Sequence, residues 1–355
     1  MRAEGRRCSD HIPSDLHTEI LIWLPVKSLM RFTSVSKSWQ SLIKDSTFIA
    51  SHRRTAPSSR KQSLLVRKRE SRWDVFNICI SIHYDSNDFN YENLEDMDLE
   101  IPGEILGPVY SLYTCYELVC LVYYDFNIII WNPSINKFIT LPKPDHGGCS
   151  CHFSTHFGFG FDPKTNDYKV VRTHLGSYSV EIFSLNTGSW RQVDYEILCF
   201  SVADQHICVN GVIYWIDGFV RNIMGFDLGD DEFLQISLCT ELGSALNTLE
   251  LAELRESICI IQYRNRIGFT DKQLCSIWVM EEPGVFLKLM TISSAECLGR
   301  ALCFKANGEI LTACLDKRLV YSYDPSNSQL SYCGSISIDD YYLELNTYVE
   351  SLVLL

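Results

Sequence analysis

The sequence predicts an α+β multidomain chain: a small three-helix module followed by a large all-β repeat domain that reads as a β-propeller. Three observations predict it. Apolar residues recur at helical spacing within residues 12–49. Beyond residue 73, aromatic and β-branched residues dominate and long helical stripes are absent. Within that second stretch one turn signature returns six times, and its later copies stand about 45 residues apart, the spacing of propeller blades. With 46% hydrophobic and 21% charged residues, the chain can fill sizeable cores and is too apolar to be disordered.

Charge divides the chain at the same place. Residues 1–72 carry 15 Lys/Arg against 6 Asp/Glu, and the remainder carries 16 against 38. Between Trp73 and Asn136 there is no Lys or Arg, but there are 11 acidic residues. An acidic body argues against nucleic acid as a partner, because phosphate binding rests on clustered cations. No apolar run reaches the roughly 18 residues of a membrane span, and the opening MRAEGRRCSD lacks the apolar stretch of a secretory signal. The 15 cysteines are odd in number and lack a framework spacing, and no Asn-x-Ser/Thr acceptor occurs. No membrane partner is expected, and the compartment expected is reducing: cytoplasm, nucleus or both.

In the first module Pro13 suits a first helical turn, with Asp15 and Glu19 near its positive end. Leu16, Ile20 and Trp23/Leu24 form one apolar stripe. Pro25 then stops that helix and opens a second carrying Leu29 and Phe32, and a third places Val35, Trp39 and Leu42/Ile43 on one face. Three helices of about ten residues cannot bury all these faces internally, so part of the apolar surface should meet a partner.

The run IPSDLHTEILIWLPVKSLMRFTSVSKSWQSLI (residues 12–43) resembles an F-box, especially that of the large plant family. Its departures are mild: Ile12 for Leu, Trp23 where a basic residue is common, and Ser36 for Cys. The resemblance implies docking to the Skp-type adaptor of a cullin ubiquitin ligase. Ile12, Pro13, Leu16, Ile20, Leu24, Pro25 and Leu29 fall on positions expected to face that adaptor. Phe32, Val35, Trp39 and Leu42 fall on positions that hold the bundle together. Residues 8–50 form this module.

Residues 51–72 read as a basic linker, with Arg53-Arg54 and Arg67-Lys68-Arg69 either a split nuclear-import signal or, the reading preferred, solvated charges running into a first strand SLLVR. Residues 73–355 form the β-domain. Its repeat pairs Trp131 with Phe138, Phe161 with Tyr168, Phe183 with Trp190 and Phe226 with Phe233. Weaker copies pair Val279 with Phe286 and Tyr323 with Leu330. Each pair flanks a polar turn and so marks a hairpin. The 22 residues from Phe161 to Phe183 break the blade spacing. GFGFDPKTNDYKVVR, VEIFSLNTGSWRQV, VNGVIYWI and FDLGDDEF resemble, in order, the F-box-associated interaction domain of plant F-box proteins, over about residues 100–335. That resemblance implies recognition of a target protein.

No catalytic constellation is present: no G-x-S-x-G, H-E-x-x-H, P-loop or C-x-x-C. His146, Cys149, Cys151, His152 and His156 cluster, but C-x-C is a poor chelate and no second Cys/His pair stands at finger spacing. The acidic tract Asp85–Glu104 lacks a calcium-loop pattern. No metal, cofactor or catalytic residue is expected. Loops on a rigid scaffold carry recognition, which makes His146, His152, His156, Asp217 and Arg221 the candidate target-facing residues.

The expected function is therefore non-catalytic. The chain reads as a substrate-recognition subunit of a Skp–cullin–F-box ligase, partnered by the adaptor, through it the cullin scaffold, and an unidentified target. The alternatives are a non-degradative F-box interaction protein or, less favoured, a propeller enzyme or sugar-binding module.

Overall fold

The computed structural model describes residues 14–55, 63–69, 78–84, 101–102, 107–144, 155–174, 179–195, 202–217, 222–243, 247–264, 274–292, 300–305, 307–314, 317–335 and 342–354. Four helices come first rather than three: Ser14–Leu21 (α1), Val26–Phe32 (α2), Lys37–Ile43 (α3) and Ser46–Thr55 (α4). Short polar side chains set their starts. Ser36 Oγ accepts from the Trp39 amide at 3.2 Å ahead of α3, and Asp45 Oδ1 accepts from the Thr47 amide at 2.8 Å ahead of α4.

Six antiparallel sheets follow. Blade one pairs Ser63–Arg69 (β1) with Ile78–Tyr84 (β2). Blade two runs Val109–Cys115 (β3), Leu118–Tyr123 (β4), Ile128–Asn132 (β5) and Lys137–Thr140 (β6). Blade three runs Thr155–Asp162 (β7), Asp167–His174 (β8), Ser179–Ser184 (β9) and Ser189–Asp194 (β10). Blade four holds Val202–Val209 (β11), Val212–Asp217 (β12), Ile223–Asp227 (β13) and Glu232–Ile236 (β14). Blade five holds Asn247–Leu254 (β15), Ser257–Arg264 (β16), Leu274–Glu282 (β17) and Val285–Ile292 (β18). Blade six holds Arg300–Phe304 (β19), Ile310–Cys314 (β20), Leu319–Asp324 (β21) and Gln329–Ser335 (β22). The last strand, Tyr342–Tyr348 (β23), returns to blade one and pairs with β1, Ser63 opposite Tyr348 and Arg69 opposite Tyr342. The first strand of each four-stranded blade, together with β23, lines a closed ring: β3, β7, β11, β15, β19, β23 and back to β3. The architecture is a six-bladed β-propeller. Strand β1 thus lies in the sheet and contains the SLLVR strand into which the basic stretch runs.

Each gap between neighbouring blades holds one apolar cluster, and six clusters fill the six gaps. Middle strands are covered on both faces, so LVCLVY of β4 and IIIWN of β5 are buried throughout instead of alternating. The outermost KFIT is largely exposed, and EFLQI exposes Glu232 and Gln235 while Ile236 stays buried.

The repeat has a local cause. The residue after the aromatic folds its oxygen onto an amide two positions on, an Asx turn: Asn132 onto Ser134, Asp162 onto Lys164, Asp227 onto Gly229 and Asp324 onto Ser326, at 2.8–3.0 Å. Five pairs face each other across their hairpins. The sixth is corrected: a bulge at Glu281 sets Phe286 opposite Met280, and Val279 opposite Leu287. The short Phe161–Phe183 interval is also explained, since both hairpins belong to blade three.

GFGF on β7 follows from a close approach. A Cβ on Gly160 would stand 2.6 Å from Cys208 Sγ and 2.7 Å from Leu228 Cδ1, and one on Gly158 would stand 2.6 Å from Trp215. Glycines face blade four while Phe157 and Phe159 fill the cluster toward blade two. Gly160→Ala should therefore cost about 1–3 kcal/mol through overpacking. A thermal melt unmoved by this substitution would contradict the contact.

Candidate functional site

At one end of the propeller the described turns are tight and several carry left-handed residues: Tyr116, Asn136, Asn166, Asn210, Asp231, Arg255 and Glu256 among them. At the other end the β4–β5 turn carries left-handed Phe126, and residues 145–154, 175–178, 196–201, 218–221, 265–273 and 293–299 lie outside the described residues. The helical cap rests on the tight-turn end. Leu21, Val26, Leu29, Ile43 and Phe48 form one cluster with Ile135 of the β5–β6 turn and Leu352 beyond β23. The cap core is therefore completed by the propeller.

The segment after β23 holds this floor in place. Asn132 Nδ2 donates to the Ser351 and Val353 carbonyls at 3.1 and 2.8 Å, and the Tyr348 hydroxyl donates to Asn132 Oδ1 at 3.0 Å. The Val349 amide donates to the Tyr116 carbonyl at 3.1 Å. On the cap side, His52 is buried and its Nε2 donates to the Leu24 carbonyl at 3.0 Å.

Arg53 does not behave as a solvated linker charge, which corrects the reading from sequence. Its Nε lies 2.7 Å from Glu117 Oε1, and the Glu117 side chain is only 3% exposed. The guanidinium sits 4.1 Å from the Phe161 ring and 5.6 Å from the rings of Tyr116 and Tyr168. Its Nη2 donates to the Tyr168 hydroxyl at 3.3 Å. Burial, then the neighbouring thiols and Glu253, pushes the Tyr116 phenol up to about 12, opposed by Arg53. Burial, with Glu117 nearby, also pushes the Tyr168 phenol well up, so both rings stay neutral at physiological pH. The second basic cluster, Arg67–Arg69, lies within β1.

On the cap, the predicted adaptor face divides. Leu16 and Ile20 on α1 and Trp23 in the turn after it are 44, 50 and 62% exposed, so the apolar stripe that α1 begins faces solvent while Leu21 faces the core. Pro25 is exposed beside them and Leu24 is half-buried. Leu29 is corrected: it is fully buried, because Val26 and Leu29, one turn apart on α2, both point at the Ile135–Leu352 floor. Val35 is corrected in the other sense. It is 64% exposed, since Thr33 and Ser34 hydroxyls cap the Met30 and Arg31 carbonyls and turn the chain outward after α2. Phe32, Trp39 and Leu42 pack against the cluster, with the Phe32 and Trp39 rings edge to face at 5.2 Å. Ile12 and Pro13 lie outside the described residues.

At the opposite end, His156 and Asp217 are corrected from loop tips to buried strand residues, 8 and 1% exposed. His156 sits on β7 opposite Thr173, and Asp217 ends β12. His146, His152 and Arg221 lie outside the described residues. Near His156, Arg172 Nη1 donates to Glu181 Oε2 at 3.1 Å in a buried pair. Burial, then Arg172 and His156, holds the adjacent His174 imidazole down to about 4, so it is neutral at physiological pH. Among the described residues, no group of three or more His, Cys, Asp or Glu could hold a metal ion, and no helix is long and apolar enough to cross a membrane. The arrangement offers one apolar surface at the cap.

A helical cap with an outward apolar face, seated on a six-bladed propeller, defines a class of two-module interaction protein. Residues 9–50 match the F-box domain family, and residues 62–329 match the F-box associated beta propeller domain. The chain is 29% identical over 291 residues to the F-box/kelch-repeat protein At3g23880 of Arabidopsis thaliana, covering 77% of this chain and 76% of that protein. It is 30% identical over 286 residues to the F-box protein At5g18160 of the same plant, covering 78% and 68%. The chain belongs to the plant F-box proteins that carry an F-box-associated propeller. Its role is that of an F-box adaptor protein.

Proposed function

We propose that this chain is the substrate-recognition subunit of a Skp–cullin–F-box ubiquitin ligase, working in the cytoplasm or nucleus without a catalytic residue of its own. The observation that carries the reading is the outward stripe Leu16, Ile20 and Trp23 on a cap whose interior is already filled. Large apolar side chains exposed along a short helix and the turn that ends it mark a docking face. The Skp-type adaptor covers that face and links it to the cullin. The far end of the propeller holds the target protein, and transfer is favoured by proximity.

The test is capture of a recombinant Skp-type adaptor by the full-length chain and by Leu16→Asp/Ile20→Asp. Two carboxylates forced into an apolar interface cost about 3 kcal/mol or more, a loss of at least about a hundredfold in affinity. The propeller melt should not move, because both side chains are exposed in the free protein. Failure of the unaltered, folded chain to capture adaptor would overturn the ligase reading.

A further inference from the structure

We propose that Arg53 and Glu117 are positioning residues that hold the cap in one orientation on the propeller, fixing the span between the outward face of the cap and the far ends of the blade strands. The apolar cluster beneath the cap is attractive but non-directional, so by itself it permits sliding of α2 and α3 over Ile135 and Leu352. The Arg53 contact does not. It combines an ion pair of 2.7 Å to a carboxylate that is 3% exposed with a guanidinium lying 4.1 Å from Phe161. Tyr116 and Glu117 come from the β3–β4 turn of blade two, and Phe161 and Tyr168 come from the first hairpin of blade three. One planar, forked group on the last turn of α4 thus engages two blades, and a planar fork is satisfied in a single orientation.

Lysine at this position would keep the charge and lose the plane. The value of a fixed span rests on the ligase reading, because transfer depends on where the bound target's lysines are held. The orientation itself does not depend on that reading.

The experiment uses the full chain with two spin labels introduced as unnatural amino acids. One replaces Glu19 on α1 and the other replaces Lys143, exposed at the far end beyond β6. Electron–electron resonance then reads the distance distribution between them. The unaltered protein should give one narrow peak. Arg53→Met/Glu117→Gln removes both charges together, so no buried carboxylate is stranded, and should broaden the peak about twofold or more. Its thermal melt should stay near that of the parent. Arg53→Lys, which keeps Glu117 paired, should broaden it as well. A residue that merely adds stability would lower the melt and leave the width alone. A parent-like peak in both variants would overturn the proposal. If the double variant does not fold, Arg53→Lys decides alone. No adaptor is present in the measurement, so failed adaptor capture and a failed positioning role are separately visible.

Discussion

Leu345→Asp should open the ring. Leu345 lies on β23, is 4% exposed, and packs with Leu64 and Val66 of β1 and with Leu311, Ala313 and Val320 of blade six. It also stands opposite Val66 in the ladder that joins the two ends of the domain. A carboxylate forced into this apolar cluster costs several kcal/mol. Total stability of a domain is about 5–15 kcal/mol, so one such penalty removes a large share of it. The loss should be greater than that of Leu345→Ala, about 2–5 kcal/mol from the missing contacts alone. Detaching β23 frees an edge on β1 and uncovers β19 and β3 together, since both neighbour it in the ring. Calorimetry should show the main unfolding transition lowered or split, and limited proteolysis should cut near β1. A melt and digestion pattern matching the parent would mean that closure does not depend on this strand.

Leu352→Asp should release the cap while leaving the ring closed. Leu352 is fully buried among Leu21, Val26, Leu29, Ile43 and Phe48, yet lies four residues beyond β23. Leu29→Asp attacks the same cluster from the cap side. Because one core is being broken, the two substitutions should have the same effect: helices α1–α4 lose amide protection, and the propeller strands keep theirs. Each penalty is several kcal/mol, more than helices of 7–10 residues can supply alone. Adaptor capture should weaken in both, although Leu352 is remote in sequence from the F-box. Hydrogen exchange showing full cap protection in Leu352→Asp would make the cap an independent domain.

The helical stripe of α1 was legible because Leu16, Ile20 and Trp23 keep a helical period, and the hairpins were legible because each aromatic precedes a residue that caps its own turn. Both are local. Period alone, however, does not say which side of a stripe faces the core. On α1 the stripe faces out, and on α2 Leu29 faces in, because Ile135 and Leu352 lie beneath one helix and not the other. Val35 was misplaced for a local reason: two hydroxyl caps end α2 just before it, and the period does not show them.

Arg53 gave no signal. In sequence it is one charge in a basic run, and charge runs usually stand in solvent. Its partners Tyr116, Glu117, Phe161 and Tyr168 lie 63–115 residues away, and only propeller closure brings the blade-two turn and the blade-three hairpin under α4. His156 and Asp217 were read as loop tips, since a polar residue near a turn looks alike whether it ends a strand or leaves it.

The sequence by itself determined the class of each module, the apolar stripe of α1 and the hairpins of the repeat, because these depend on residues within a few positions of one another. Only the tertiary structure decided the number of blades, the closure of the ring by β23 and the seat of the cap. These depend on which distant surfaces meet. An apolar strand such as LVCLVY is equally content against any apolar neighbour, and burial energy scales with area rather than with identity.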